Sequence, residues 1–151
     1  MPELRGGQLA VILCAADAEA LEALVAPGYG ARTLRTCSDE ALVVAAPDVA
    51  DTVAREVRDR ITALDRDALV LDVTDGWSVW WLTGSDAAHA FSYLSALPAP
   101  DPGGFVQGDV ARIGATVLGE DDALTILVPA YWREHIRERA IRDANAIEVR
   151  A

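Results

Sequence analysis

The order of apolar runs limits this chain's fold more than any single motif: strand, helix, strand, strand, helix, and then the same order again. "QLAVILCA" (8–15) is a continuous apolar run of strand length. In "ADAEALEALV" (16–25), Leu21, Leu24 and Val25 are spaced like one helix face, and "APGYG" stops it. "ARTLRTC" (31–37) alternates as a strand, Ser38-Asp39-Glu40 makes a turn, and "ALVVAA" (41–46) reads as a buried strand. Pro47-Asp48 opens a helix running to about Leu64, with Val49, Val53, Val57, Ile61 and Leu64 in one stripe and "REVRDR" on the wet face.

The second copy begins near Leu69. "ALVLDVT" and "GWSVWWLTG" read as strands around a turn at Asp75-Gly76. Ser85 is the expected helix cap, and Ala87 to Leu97 turns Ala88, Phe91 and Leu94 inward. "PAPDPGG" (98–104) is a loop, and "DVARIGATVL" and "ALTILVP" are strands around the tip Gly119-Glu120-Asp121-Asp122. A helix from about Tyr131 to Asp143 sets Trp132, Ile136, Ala140 and Ala144 on one stripe, and "AIEVR" closes the chain as a strand. Each half is a small split βαβ unit with one bare sheet face, so each needs the other to bury it. The expectation is one α+β domain over 1–151, with pseudo-repeat halves at about 8–67 and 68–150, mostly antiparallel sheets and outer helices.

Three tryptophans crowd into Trp77-Ser78-Val79-Trp80-Trp81. Strand alternation puts Trp77, Val79 and Trp81 on one face and Ser78, Trp80 and Leu82 on the other. A strand apolar on both faces is ordinarily covered on both, so the segment reads as core, Trp81 included. Two functional readings stand beside that one. Trp80 or Trp77 can anchor a partner protein, and Trp80 or Trp81 can stack a pterin-like ring.

At 151 residues, 52% apolar and 25% charged, the chain is globular in composition and of ordinary length for one domain. The net charge of −11 argues against nucleic acid or an anionic membrane as partner, because both select a basic face. All 13 basic residues are arginine, which excludes Schiff-base, pyridoxal-phosphate and P-loop lysine chemistry. Cys14 and Cys37 both read as small buried hydrophobes. "MPELRGG" has no signal core, and no apolar run approaches the ~20 residues needed to span a bilayer. A cytoplasmic location is the expectation.

Few residues carry chemistry. Asp72 and Asp75 around Thr74 read as turn residues before acid–base partners. "GEDD" (119–122) lacks the length of a calcium loop. His89 and His135 have no Cys or His at ligand spacing, no GxGxxG follows a strand, and neither flavin nor zinc is expected on this chain alone. On the last helix, Glu134–Arg137 and Glu138–Arg142 are opposite charges at favourable spacing.

The segments "SDEALVVAAP", "LVLDVTDGWSVWWLTGSDAAHAF", "GGFVQGDVARI" and "LTILVPAYW" together resemble the gamma-subunit family of heterotetrameric sarcosine oxidases. That family lies within the folate-binding superfamily of the glycine-cleavage T-protein and related aminomethyltransferases. The segments match, in order, an acidic turn and apolar strand, a "D-V/L-S/T-D" strand with an "L-x-G-x-x-A" helix entry, an "F-x-x-G-x-x-A" segment and an "L-x-V-P" strand end. Coverage runs from about Leu9 to Ala144. The chain departs from the pattern at Asp109-Val110-Ala111-Arg112, where relatives read closer to "C-A-Q-T". Asp121 and Asp122 sit in a tight hairpin unlike the T-protein's aspartate context, so no catalytic residue is carried over.

The resemblance implies a non-catalytic, gamma-like subunit of a flavin-dependent sarcosine or N-methyl amino acid oxidase, working in one-carbon metabolism. Larger flavoprotein subunits would be its partners, and those partners would hold FAD, FMN, NAD and tetrahydrofolate. Tyr131 is the expected anchor for them. Trp132 shares the stripe of Ile136 and Ala140 and reads as either a lid or a second anchor, with Trp80 next. The competing reading is a free-standing tetrahydrofolate-binding or one-carbon-transfer protein, with Trp80 and Trp81 against the pterin. A homo-oligomeric scaffold is the third.

Overall fold

The computed structural model describes residues 1–25, 27–143 and 147–150. The chain divides into two compact units, Gln8–Thr74 and Met1–Gly7 together with the chain from Asp75 onward. The first strand, β1 (Glu3–Gly7), therefore belongs with the C-terminal part.

The unit Gln8–Thr74 runs β2 (Ala10–Ala15), α1 (Ala18–Glu22), β3 (Arg32–Arg35), β4 (Glu40–Ala45), α2 (Ala50–Thr62) and β5 (Leu69–Asp72). Its sheet is ordered β3-β4-β2-β5, and every pairing is antiparallel. α1 starts where the Asp17 carboxylate accepts the Ala20 N–H at 2.8 Å, occupying one of the amides a helix start leaves free. α2 follows a single tight turn at Pro47–Val49. Its i, i+4 row Val53, Val57 and Ile61 is buried against Ile12, Cys14, Ala41, Val43 and Val70 of the sheet. Burying each such side chain is worth about 1.5–3 kcal/mol, so this row does more for the helix than its propensity. Val25 and Leu64, expected on these stripes, are exposed because each lies past the end of its helix. Cys14 is buried as expected, but Cys37 falls beyond β3 in the turn and is exposed, its thiol 3.1 Å from an Asp39 carboxylate oxygen.

β5 closes this sheet instead of opening a second half, so the unit extends to Thr74. The Asp72 carboxylate accepts the Thr74 N–H at 2.9 Å, and the Thr74 hydroxyl oxygen accepts the Val11 N–H at 3.0 Å. Those bonds end the strand beside β2. They also explain why "ALVLDVT" and "GWSVWWLTG" belong to different sheets although only a short turn separates them.

The other unit adds β6 (Trp77–Thr83), α3 (Ala87–Phe91), β7 (Phe105–Val110), β8 (Ile113–Gly119), β9 (Ala123–Pro129), α4 (Arg133–Asp143) and β10 (Glu148–Arg150) to β1. The sheet order is β10-β1-β6-β9-β8-β7, antiparallel except for β1 beside β10. With β1 and β7 set aside, the remaining order β10-β6-β9-β8 is that of β5-β2-β4-β3. The repeat read from the apolar pattern is thus present, each copy carrying a fourth, closing strand. The architecture is α+β with mostly antiparallel sheets.

Inward from this sheet, Leu4, Trp80, Leu82, Val117, Ile126 and Val128 pack with Phe91 and Leu94 and with Ile136 and Ala140 of α4. α3 is short, preceded by Asp86 rather than capped by Ser85, and it buries Ala87, Ala90 and Phe91 while Ala88 faces out. Ala144, expected on the α4 stripe, lies outside the described residues.

"DVARIGATVL" is not one strand. It is broken by a hairpin turn at Ala111 and Arg112, both left-handed at φ 51° and 69°. Non-glycine residues avoid this region, and no Asn-Gly or Asp-Gly announces the turn. Tertiary bonds hold it instead: Ala111 N–H donates to the Leu94 carbonyl at 2.6 Å, and His135 Nε2 lies 2.9 Å from the Ala111 carbonyl oxygen.

Candidate partner-docking surface

The tryptophan strand is where expectation and structure diverge most. Trp80 is 1% exposed and forms the centre of the core beneath α3 and α4, so in this structure it presents no face to a pterin or a partner. Trp77 and Trp81, on the opposite face, are half-buried. Trp81 was expected to be the core member; Trp80 fills that place because its face is the one the helices cover.

Two glycines of β1 set the ring positions. Gly6 pairs with Trp80, and a Cβ there would lie 3.6 Å from its ring and 3.3 Å from an Arg133 guanidinium nitrogen. A Cβ on Gly7 would lie 1.7 Å from the Trp81 ring, so that indole lies flush on the β1 backbone. Nothing in the pattern of "MPELRGG" marked it as a strand, because its glycines give way to rings supplied by another strand.

The exposed aromatics are at the entry of α4. β9 ends at Pro129, a single tight turn spans Ala130–Trp132, and α4 follows. Tyr131 is 80% exposed and Trp132 38%. Their ring centroids are 5.5 Å apart, and Trp132 meets His135 edge-on at 5.3 Å. His135, one helical turn after Trp132, was not singled out as part of a site. Its i, i+3 spacing from Trp132 carried that information.

The corner is held from below. His135 is fixed to the hairpin carbonyl of Ala111, Ile136 is fully buried, and the Arg133 guanidinium lies 5.9 Å from the Trp80 ring centre. Glu134 and Arg137 pair at 3.3 Å on the solvent side, as their spacing anticipated. The structure brings Tyr131 and Trp132 together as one surface on a rigid helix entry and leaves Trp80 in the layer beneath. Two adjacent aromatics, one mostly exposed and one anchored, are the residue types that dominate binding energy at protein interfaces.

A separate depression of about 410 Å³ lies beside Trp77, bordered by Gln107, Gly108, Gly114, Ala115 and Thr116. Gln107 Nε2 donates to Thr116 Oγ1 at 3.2 Å, and the space above Gly114 is open. Among the described residues no group of three His, Cys, Asp or Glu side chains is placed to hold a metal ion. No described helix is long and apolar enough to cross a membrane.

This arrangement of repeated, mostly antiparallel α+β units is a fold also found in solved structures of a heterotetrameric sarcosine oxidase and of a glycine cleavage system aminomethyltransferase T. Among solved structures the chain is similar to one from heterotetrameric sarcosine oxidase of Corynebacterium sp. U-96 in complex with pyrrole 2-carboxylate, with TM-score 0.76 and 19% identity, over 93% of this chain and 82% of that one. It is also similar to the glycine cleavage system aminomethyltransferase T of Bartonella henselae, with TM-score 0.71 and 14% identity, over 98% of this chain but 47% of that one. A looser likeness, at TM-score 0.54 and 11% identity, is to the regulatory subunit of aspartate kinase from Thermus thermophilus. No protein-family model and no curated protein matches the sequence. At these identities the likeness is one of fold.

Proposed function

We propose that the chain is a non-catalytic, gamma-like subunit of a heteromeric flavin-dependent oxidase acting on sarcosine or another N-methyl amino acid. The observation that carries this reading is the extent of the likeness: 93% of this chain against 82% of a chain from a heterotetrameric sarcosine oxidase. With the aminomethyltransferase the match spans 98% of this chain but 47% of that one. The exposed Tyr131–Trp132 corner supplies a surface for the larger subunits. FAD, FMN, NAD and tetrahydrofolate belong, in this reading, to those subunits, and the complex works in the cytoplasm.

Reconstitution with the flavoprotein subunits of such an oxidase tests it. The chain should co-elute with them in fixed stoichiometry and add no flavin absorbance of its own. A chain that elutes apart from them, or that carries stoichiometric flavin alone, contradicts the reading.

One observation favours the competing reading of a free-standing tetrahydrofolate-binding or one-carbon-transfer protein. The depression at Trp77 offers an indole edge with an amide and a hydroxyl nearby. Titration with tetrahydrofolate separates the two. Quenching of tryptophan emission that Trp77→Phe abolishes supports folate binding, and unchanged emission at saturating ligand supports the subunit reading.

A further inference from the structure

Hydrogen-bond chemistry fixes where the proton sits on the one imidazole at the entry of α4. His135 Nε2 lies 2.9 Å from the Ala111 carbonyl oxygen. A carbonyl oxygen only accepts, so Nε2 carries a hydrogen in the neutral ring and in the cation alike. The neutral ring has one N–H, and Nδ1 is therefore left with a bare lone pair. Nδ1 has no hydrogen-bond donor among the described residues. It is not sealed in the core as the Ser78 hydroxyl and the Trp80 Nε1 are, so it is open to solvent.

This acceptor stands within the aromatic corner. Trp132 meets the His135 ring edge-on at 5.3 Å, and the Tyr131 ring is 5.5 Å from that of Trp132. The titratable and charged groups around it are Tyr131, Glu134, Glu138 and Arg139 on α4, Asp109 and Arg112 at the β7–β8 hairpin, and Tyr93 beside the Leu94 carbonyl that holds that hairpin. Arg133 is turned to the Trp80 ring, and Arg137 is paired with Glu134. Of these side-chain types only imidazole ordinarily changes charge between about pH 5.5 and pH 8.

We propose that His135 Nδ1 is the polar anchor of the Tyr131–Trp132 corner, accepting a hydrogen bond from a cationic N–H donor, ammonium or guanidinium, on a larger subunit. Docking then takes place with the ring neutral and is released when the ring is protonated. A cation fits on three counts. Bare Nδ1 can only accept, the adjacent indole and phenol rings attract positive charge, and the net charge of −11 draws a basic surface toward the chain. Protonation reverses the first of these: Nδ1 becomes a donor, and the charged ring repels the cation it held. The inference rests on the proposed subunit role and adds to it a polar contact and the sign of its pH dependence.

The test measures binding of the full chain to the flavoprotein subunits of such an oxidase at about pH 8 and about pH 5.5, on either side of ordinary imidazole titration. The parent should bind about tenfold more weakly at the lower pH, the loss expected when a hydrogen bond to a charged group is removed. His135→Gln keeps an amide donor for the Ala111 carbonyl but removes Nδ1. It should melt with the parent, bind at the parent's low-pH level throughout, and show no step between the two conditions. His89→Gln, which removes the chain's other histidine, should leave the parent's step intact. Nitrogen-15 resonances of the labelled His135 ring read the premise directly: at about pH 8 Nε2 should be protonated and Nδ1 bare. The reverse tautomer, an equal step in parent and His135→Gln, parent-like affinity of His135→Gln at the higher pH, or loss of the step in His89→Gln overturns the inference and leaves the subunit role standing. A parent that binds at neither pH overturns both.

Discussion

Trp80 and Tyr131 mark the two extremes of what an aromatic residue does in this chain. Trp80 is buried with its Nε1, like the Ser78 hydroxyl on the same face, finding no hydrogen-bond partner among the described residues. Trp80→Ala should cost ~3–5 kcal/mol in denaturant unfolding. Trp80→Phe should cost much less, since it keeps most of the ring and removes the stranded N–H. Tyr131→Ala, by contrast, should stay within about 0.5 kcal/mol of the parent. Gly7→Ala should destabilise the chain by roughly 1–3 kcal/mol and alter tryptophan emission, because its methyl would occupy the place of the Trp81 ring. Gly6→Ala meets only the movable end of Arg133 and the ring edge of Trp80, and should be milder. Burial pushes the Cys14 thiol from its ordinary 9.0 up to about 12. The unfolded chain therefore loses this proton first as pH rises, and stability should fall between about pH 9 and 12. Cys14→Ala should flatten that part of the pH profile, measured as unfolding midpoint against pH. No change in slope would mean that the thiol is solvated.

Among the elements, those set by apolar period were legible and those set by tertiary contact were not. The row Val53, Val57 and Ile61 defined α2 from the sequence because its burial follows directly from i, i+4 spacing. The break at Ala111–Arg112 was invisible because neither residue is a turn former; the Leu94 carbonyl and the His135 ring hold it, and both come from elsewhere in the chain. A left-handed residue with a side chain is strained by about 1–2 kcal/mol. Arg112 is exposed, so Arg112→Gly should raise stability by up to about 1 kcal/mol after the entropic cost of glycine, read from the unfolding midpoint. A loss of stability would show that the arginine side chain contributes more than its backbone costs. β5 misled for a related reason. Its pattern fits an opening strand as well as a closing one, and only the Thr74 bonds to Val11 and Asp72 decide between them.

At the scale of the whole molecule, the repeated order of strands and helices was readable because each copy must bury its own sheet face under its own helices. The closing strand of the second copy was readable in "AIEVR"; the closing role of β5 in the first copy and the insertion of β1 were not, since a sheet's order follows from pairings far apart in sequence. The same division applies to the surface. Tyr131 and Trp132 were found by their position at a strand end. The burial of Trp80 and the part played by His135 needed the fold. In the proposed subunit role, the chain docks onto larger flavoprotein subunits through the Tyr131–Trp132 corner, with its acidity favouring a basic counterpart. The most direct measurement is the affinity of the chain and of its Tyr131→Ala/Trp132→Ala variant for those subunits, taken by titration calorimetry at low and high salt. The double variant should bind at least about tenfold more weakly, since paired aromatic anchors contribute ~2 kcal/mol or more, and the parent's affinity should fall as salt rises. Equal affinity of parent and variant at both salt concentrations would contradict it.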